Sequence, residues 1–188
     1  VENAFQANTA VVSTLGAAFG GSITGFTKNG PGTLAITAAS NPNLTGAITV
    51  SDGGLSVATQ YGLGGSGYTA GPAVTLAGGA YNVATTNLFF QNPVSVTNTG
   101  ILSATAASTA VGAVTMGAAS TALGVQGGNT NTIFGGLTMN SAGATTLFTT
   151  NQLNVLGSFT GTSGSVTKQG TAALVLCGDA TYPGNITV

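Results

Sequence analysis

One stretch of this chain is written twice. FTKNGPGTLAITAASNPNLTGAITVSDGGLSV, residues 26–57, returns in shortened form as VTKQGTAALVLCGDATYPGNITV, residues 166–188. Phe26 aligns with Val166, Lys28 with Lys168, Gly30 with Gly170, Leu34 with Leu174 and Ile36 with Leu176. After a two-residue gap, Gly46 meets Gly184, Ile48 meets Ile186 and Val50 meets Val188. Within each copy, apolar and polar residues alternate over short runs bounded by Gly and Asn. Such alternation places one face of a strand inside and the other outside. A repeat made of strands and turns cannot bury its apolar face alone, so it stacks on its neighbours.

A smaller unit, apolar–polar–apolar, recurs through the chain: ITV at 48, VTL at 74, VSV at 94, VTM at 114, LTM at 137, LNV at 153 and ITV at 186. Successive starts differ by 26, 20, 20, 23, 16 and 33 residues. Several units lead through a Gly- or Asn-containing corner into another strand, as in SDGG then LSV and AGGA then YNV. Gly and Asn supply the left-handed backbone that tight corners require. A period near twenty, with strand, corner and strand, is one coil of a parallel β-solenoid. Eight or nine coils at about 4.8 Å give a rod of roughly 40 Å. An antiparallel β-sandwich also shows strands at short spacing and is the main alternative; recurrence of the same unit favours the solenoid. The Ala-rich piece at 104–122 reads as strand, because Gly112, Gly117 and many Thr and Ser disfavour a helix there. Residues 1–21 read as an N-terminal arm or cap strand and 22–188 as the solenoid. The insertion at 60–72 reads as a loop thrown from one face.

The inward set on this register is Leu34, Ile36, Ile48, Val50, Leu55, Val57, Val74, Leu76, Val94, Val96, Val114, Met116, Leu137, Met139, Leu153, Val155, Leu174 and Leu176. Thr49, Thr75, Ser95, Thr115, Thr138 and Asn154 point outward. Phe89, Phe90, Phe134, Phe148 and Phe159 are expected in the core. Tyr61, Tyr68, Tyr81 and Tyr182 carry a hydroxyl that suits a surface or a subunit contact, and their placement is left open.

Only 3% of the 188 residues are charged: Glu2, Lys28, Asp52, Lys168 and Asp179. Two lysines cannot neutralise a phosphate backbone, so nucleic acid is excluded as a partner. Low charge with 43% hydrophobic residues also differs from the composition of a disordered chain. No uninterrupted apolar run is long enough to span a bilayer as a helix. The chain begins at Val1 without Met and reads as a processed or excerpted piece. The single Cys177 excludes an internal disulfide and reads as a small residue on a strand.

The two long copies resemble the autotransporter-associated β-strand repeat of bacterial secreted and surface passenger proteins. Lys28, Gly30, Gly32, Thr33, Leu34 and Ile36 fit the first half of its pattern. Gly46, Ile48, Val50, Gly53, Gly54, Leu55 and Val57 fit the second half. The later copy fits at Lys168, Gly170, Leu174, Leu176, Tyr182, Gly184, Ile186 and Val188, with Ala172 and Ala173 replacing the second Gly and the Thr. Strong matching covers about a third of the chain. The resemblance implies a right-handed parallel β-helix, exported to the surface of a Gram-negative-type bacterium or secreted from it. It implies no chemistry.

Composition agrees that no catalytic, cofactor or metal site is written here. Asp52 and Asp179 occupy different positions of the repeat, so they do not form the flanking pair that glycoside hydrolysis uses. Without His, and with one Cys, neither a zinc site nor an Asp-rich calcium roll is present. GLGGSG at 62–67 lacks the Lys and helix of a phosphate loop. Asn43 and Asn185 open Asn-x-Thr acceptor patterns that read as chance. Lys28 and Lys168 occupy equivalent positions; one reading bonds them to Asp52 or Asp179, and the other, preferred here, leaves them as outward, solvated corner lysines. The expectation is therefore a non-enzymatic, extracellular structural protein that assembles head to tail with copies of itself, residues 1–21 of one copy completing the C-terminal coil of the next. The alternative is an adhesin or passenger segment that binds a glycan or surface.

Overall fold

A computed structural model describes residues 3–6, 11–66, 69–84, 89–105, 108–128, 130–162 and 164–188, and every regular element among them is a strand. The first part of the chain carries two strands per coil: β1 (Asn3–Gln6), β2 (Val12–Leu15), β3 (Phe26–Asn29), β4 (Thr33–Ile36), β5 (Ile48–Val50), β6 (Gly54–Val57), β7 (Val74–Leu76) and β8 (Ala80–Val83). From there each coil gains a third strand: β9 (Phe89–Phe90), β10 (Val94–Val96), β11 (Thr99–Ala104), β12 (Ser108–Val111), β13 (Val114–Met116), β14 (Ala122–Gly127), β15 (Thr130–Ile133), β16 (Leu137–Met139), β17 (Ala144–Thr149), β18 (Gln152–Val155), β19 (Phe159–Gly161), β20 (Ser165–Gln169), β21 (Leu174–Leu176) and β22 (Asn185–Thr187).

These strands form three ladders. The first sheet runs β1-β3-β5-β7-β10-β13-β16-β19, the second β2-β4-β6-β8-β11-β14-β17-β20-β22, and the third β9-β12-β15-β18-β21. Every pairing between named strands is parallel, for example Val74↔Val94↔Val114 along the first sheet. A chain that meets the same sheet once per turn, always in the same direction, is a parallel β-solenoid. Starts on the first sheet fall at 3, 26, 48, 74, 94, 114, 137 and 159, about 22 residues per coil over eight coils.

The core follows the alternation. Sixteen of the eighteen residues expected inside are fully buried, and Leu174 and Leu176 are partly buried because they lie in the last coils. Thr49, Thr75, Ser95, Thr115, Thr138 and Asn154 face out and are half-buried rather than fully exposed, since strands above and below cover part of each. The periodicity expectation needs one correction. LNV at 153 lies on the third sheet and ITV at 186 continues the second, whereas the earlier units lie on the first. Phe159 is the true first-sheet successor of Leu137. The irregular 16- and 33-residue spacings are jumps between faces.

The same shift affects the long repeat. In the earlier copy Lys28 is on the first sheet and Leu34 on the second; in the later copy Lys168 is on the second sheet and Leu174 on the third. One local sequence therefore builds two different corners of the prism. Residues 3–6 and 12–15 are paired within the chain, β1 on β3 and β2 on β4, so the N-terminal segment forms a first coil. The insertion at 60–72 is only partly a loop: Leu63 is fully buried and Tyr61 bridges Ser40 of the preceding coil.

Candidate functional site

The coil corners carry the least expected chemistry. Lys28 falls on an inward position, stacked between Phe5 and Val50 of adjacent coils. It is completely buried, and Lys168, stacked on Leu147, is 7% exposed. The solvated-lysine reading is thus overturned. Each lysine is followed two positions later by a glycine in the left-handed region, Gly30 at φ 78 and Gly170 at φ 88. That geometry turns corner carbonyls towards the end of the lysine stem. Lys28 Nζ donates to Asn29 O at 2.9 Å, Gly30 O at 2.6 Å and, across to the next coil, Asp52 O at 3.2 Å. Lys168 Nζ donates to Gly170 O at 2.5 Å.

The methylene stem therefore completes the apolar ladder while the ammonium satisfies carbonyls that no strand can reach. Burial pushes the Lys28 ammonium below its ordinary 10.5, and the nearby Asp52 partly opposes that shift. Asp52 meets Lys28 through its main-chain oxygen, and its carboxylate accepts the Gly53 N–H at 2.7 Å. The lysines are structural clamps, not a paired acid–base site.

Buried asparagines do the same work on the third side of the early coils, where no ladder strand lies among the described residues. Asn41 accepts from Phe19 N at 2.8 Å and donates to Gly62 O at 2.5 Å; Asn92 donates to Leu63 O at 3.1 Å and Pro72 O at 2.9 Å. Both are buried and both bridge segments about one coil apart or more. Sequence reading passed over them; their place in NPN and QNP, between strand units, was the available signal.

Aromatic placement is mixed. Phe90 and Phe159 are core, but Phe134 is 49% and Phe148 38% exposed, correcting the expectation that both are inside. Phe148 falls on an outward register position and Phe134 follows the end of β15, so alternation and the corner turn them out. The Phe89 side chain and Tyr68 lie outside the described residues. Tyr81 is fully buried, and Tyr61 and Tyr182 are half-buried. Cys177 is exposed just past β21, not on a strand.

At the C-terminal end, β21 and β22 present unpaired edges beside an open trough of about 530 Å³ lined by Lys168, Leu174, Leu176, Ile186 and Val188, among others. Ile186 is 42% and Val188 95% exposed. At the opposite end β1 and β2 are the outer strands, with Val11 and Val12 about 60% exposed. Among the described residues there is no group of three His, Cys, Asp or Glu side chains that could hold a metal ion, and no helix long and apolar enough to cross a membrane. No curated protein and no solved structure matches the chain. Residues 26–57 and 166–188, the segments that hold the two lysine corners, match the family model described as passenger-associated-transport-repeat.

Proposed function

We propose that this chain is a non-catalytic structural β-solenoid whose copies stack head to tail into an extracellular fibre or coat. The matched repeat is passenger-associated, which suggests a secreted or surface location. The observation that carries the assembly reading is the chemistry of the two ends. Exposed strand edges are ordinarily defended by charge, proline or bulges. Here the C-terminal edge offers Leu174, Leu176, Ile186 and Val188, and its nearby lysine is buried and turned to a corner carbonyl. All ladders are parallel, so the two ends expose opposite sides of the first and second sheets, and the third-sheet edge at β21 is a feature of the C-terminal end alone. Contact between them is heterologous and does not close, which makes it propagate.

The pairing of β1 with β3 and β2 with β4 changes how the contact forms: an already assembled first coil abuts the last coil of the next copy. Sedimentation velocity over a concentration series tests this. Intact protein is expected to form fast-sedimenting polymer, and Ile186→Lys, which places a charge on the edge, is expected to leave monomer. A chain that stays monomeric at high concentration, or an edge charge without effect, overturns the reading.

A second reading, recognition of a glycan or other surface, is favoured by one observation. Ile101, Gly124 and Phe148 share one outward row in three successive coils. The two exposed apolar side chains stand about 10 Å apart with a glycine between them. Carbohydrate-array binding by monomer that is lost in Phe148→Ser favours this reading over assembly.

A further inference from the structure

Among the described residues, one buried side-chain polar atom has no hydrogen-bond partner, the Tyr81 hydroxyl. Tyr81 lies on β8 in the inward row between Leu55 and Leu102. It is fully buried, and its hydroxyl makes no hydrogen bond among the described residues. An unpaired phenol in a dry core is costly, so a native structure that keeps one calls for a partner. Tyr81 lines a cavity of about 10 Å³ between the second and third sheets. Val83, Leu102, Val125, Ile133 and Leu153 supply its apolar wall, and Asn131 is a second buried polar side chain on it.

The size decides what can enter. About 10 Å³ accommodates the centre of one water and excludes any organic ligand. We infer that this cavity binds a single ordered water, hydrogen-bonded to the Tyr81 hydroxyl and to the side chain of Asn131. The Asn131 amide group donates to Gly127 O at 3.0 Å, which fixes its orientation, and an amide oxygen has two acceptor sites. The water ties β8 on the second sheet to β15 on the third. On the third sheet the cavity is lined by Val111 of β12, Asn131 and Ile133 of β15 and Leu153 of β18, so it lies within the three-stranded coils. The water thereby fixes the third sheet against the second inside the three-stranded coils.

Two measurements on the whole chain test the inference. Crystallography at a resolution that shows ordered solvent is expected to place a peak within about 3 Å of Tyr81 Oη. Oxygen-17 relaxation dispersion is expected to count one fewer long-lived water in Tyr81→Phe than in the natural chain, with a melting midpoint lower by about 2–4 °C. Density with Oη in apolar contact overturns the site. So does Tyr81→Phe with an unchanged count of long-lived waters, whether its midpoint falls, holds or rises, because the hydroxyl then anchors no water.

Discussion

Replacing Lys28 by Met keeps most of an unbranched stem and removes the ammonium, so it isolates the corner clamp. Three acceptors lose their donor: Asn29 O, Gly30 O and Asp52 O, at 2.9, 2.6 and 3.2 Å. Hydrogen bonds to a charged group are worth roughly 1.5–3 kcal/mol each. Relief from burying the ammonium returns a large part of that, and the two corner carbonyls lie close to water. The Asp52 bond, between coils, is the hardest to replace. The net expectation is a loss of about 2 kcal/mol, which in a chain of this size lowers the melting midpoint by about 4–8 °C. Lys28→Ala also deletes buried methylenes at about 0.8 kcal/mol each and is expected to cost roughly twice as much. Lys168→Met, whose ammonium meets Gly170 O in the terminal coils, is expected to cost less than half of Lys28→Met. Circular dichroism melts on the three variants check the ranking. A solvated lysine predicts effects within about 0.5 kcal/mol, so a neutral Lys28→Met, or a Lys168→Met that costs more, would refute the clamp.

Other perturbations follow from the same geometry. Val96 is fully buried between Leu76 and Met116, so Val96→Asp places a charge in the ladder and is expected to cost on the order of 4 kcal/mol in denaturant unfolding. Gly170→Ala forces a side chain onto φ 88 with its Cβ 2.1 Å from Thr149 O; the expected loss is about 1–3 kcal/mol, read as a lower melting midpoint. Burial holds the Tyr81 phenol protonated well above its ordinary 10. As pH rises past 10 the unfolded chain releases that proton and the folded chain keeps it, so stability falls by about 1.4 kcal/mol per pH unit. Tyr81→Phe lacks this part of the slope, and alkaline melts of the two proteins give it by difference, since the Lys28 contribution is common to both.

The solenoid was legible because its stabilising pattern is local. ITV, VTL, VSV and VTM each declare one strand with two inward residues, and their recurrence declares the stack. What a linear reading could not supply is which face of the prism each unit occupies. LNV at 153 and ITV at 186 look like the others and belong to different sheets, because a corner closes the same way on any face. The lysines were misplaced for a related reason. Charge argues for the surface, and only the corner geometry, with Gly30 and Gly170 presenting carbonyls, makes an inward lysine satisfiable. Phe134 and Phe148 were misread by weighing residue type over position: alternation within ATTLFT already sets Phe148 opposite Leu147. Asn41, Asn92 and Tyr81 are buried through contacts between coils, which no single stretch of sequence contains.

The head-to-tail account is tested most directly by diffraction from aligned fibres of the purified chain. Continuous stacking predicts a 4.8 Å reflection along the fibre axis from strand spacing, together with a subunit repeat of roughly 40 Å from eight coils per copy at that spacing. Protein that forms no fibre at high concentration, or fibres with the strand reflection and no subunit repeat, contradicts the account.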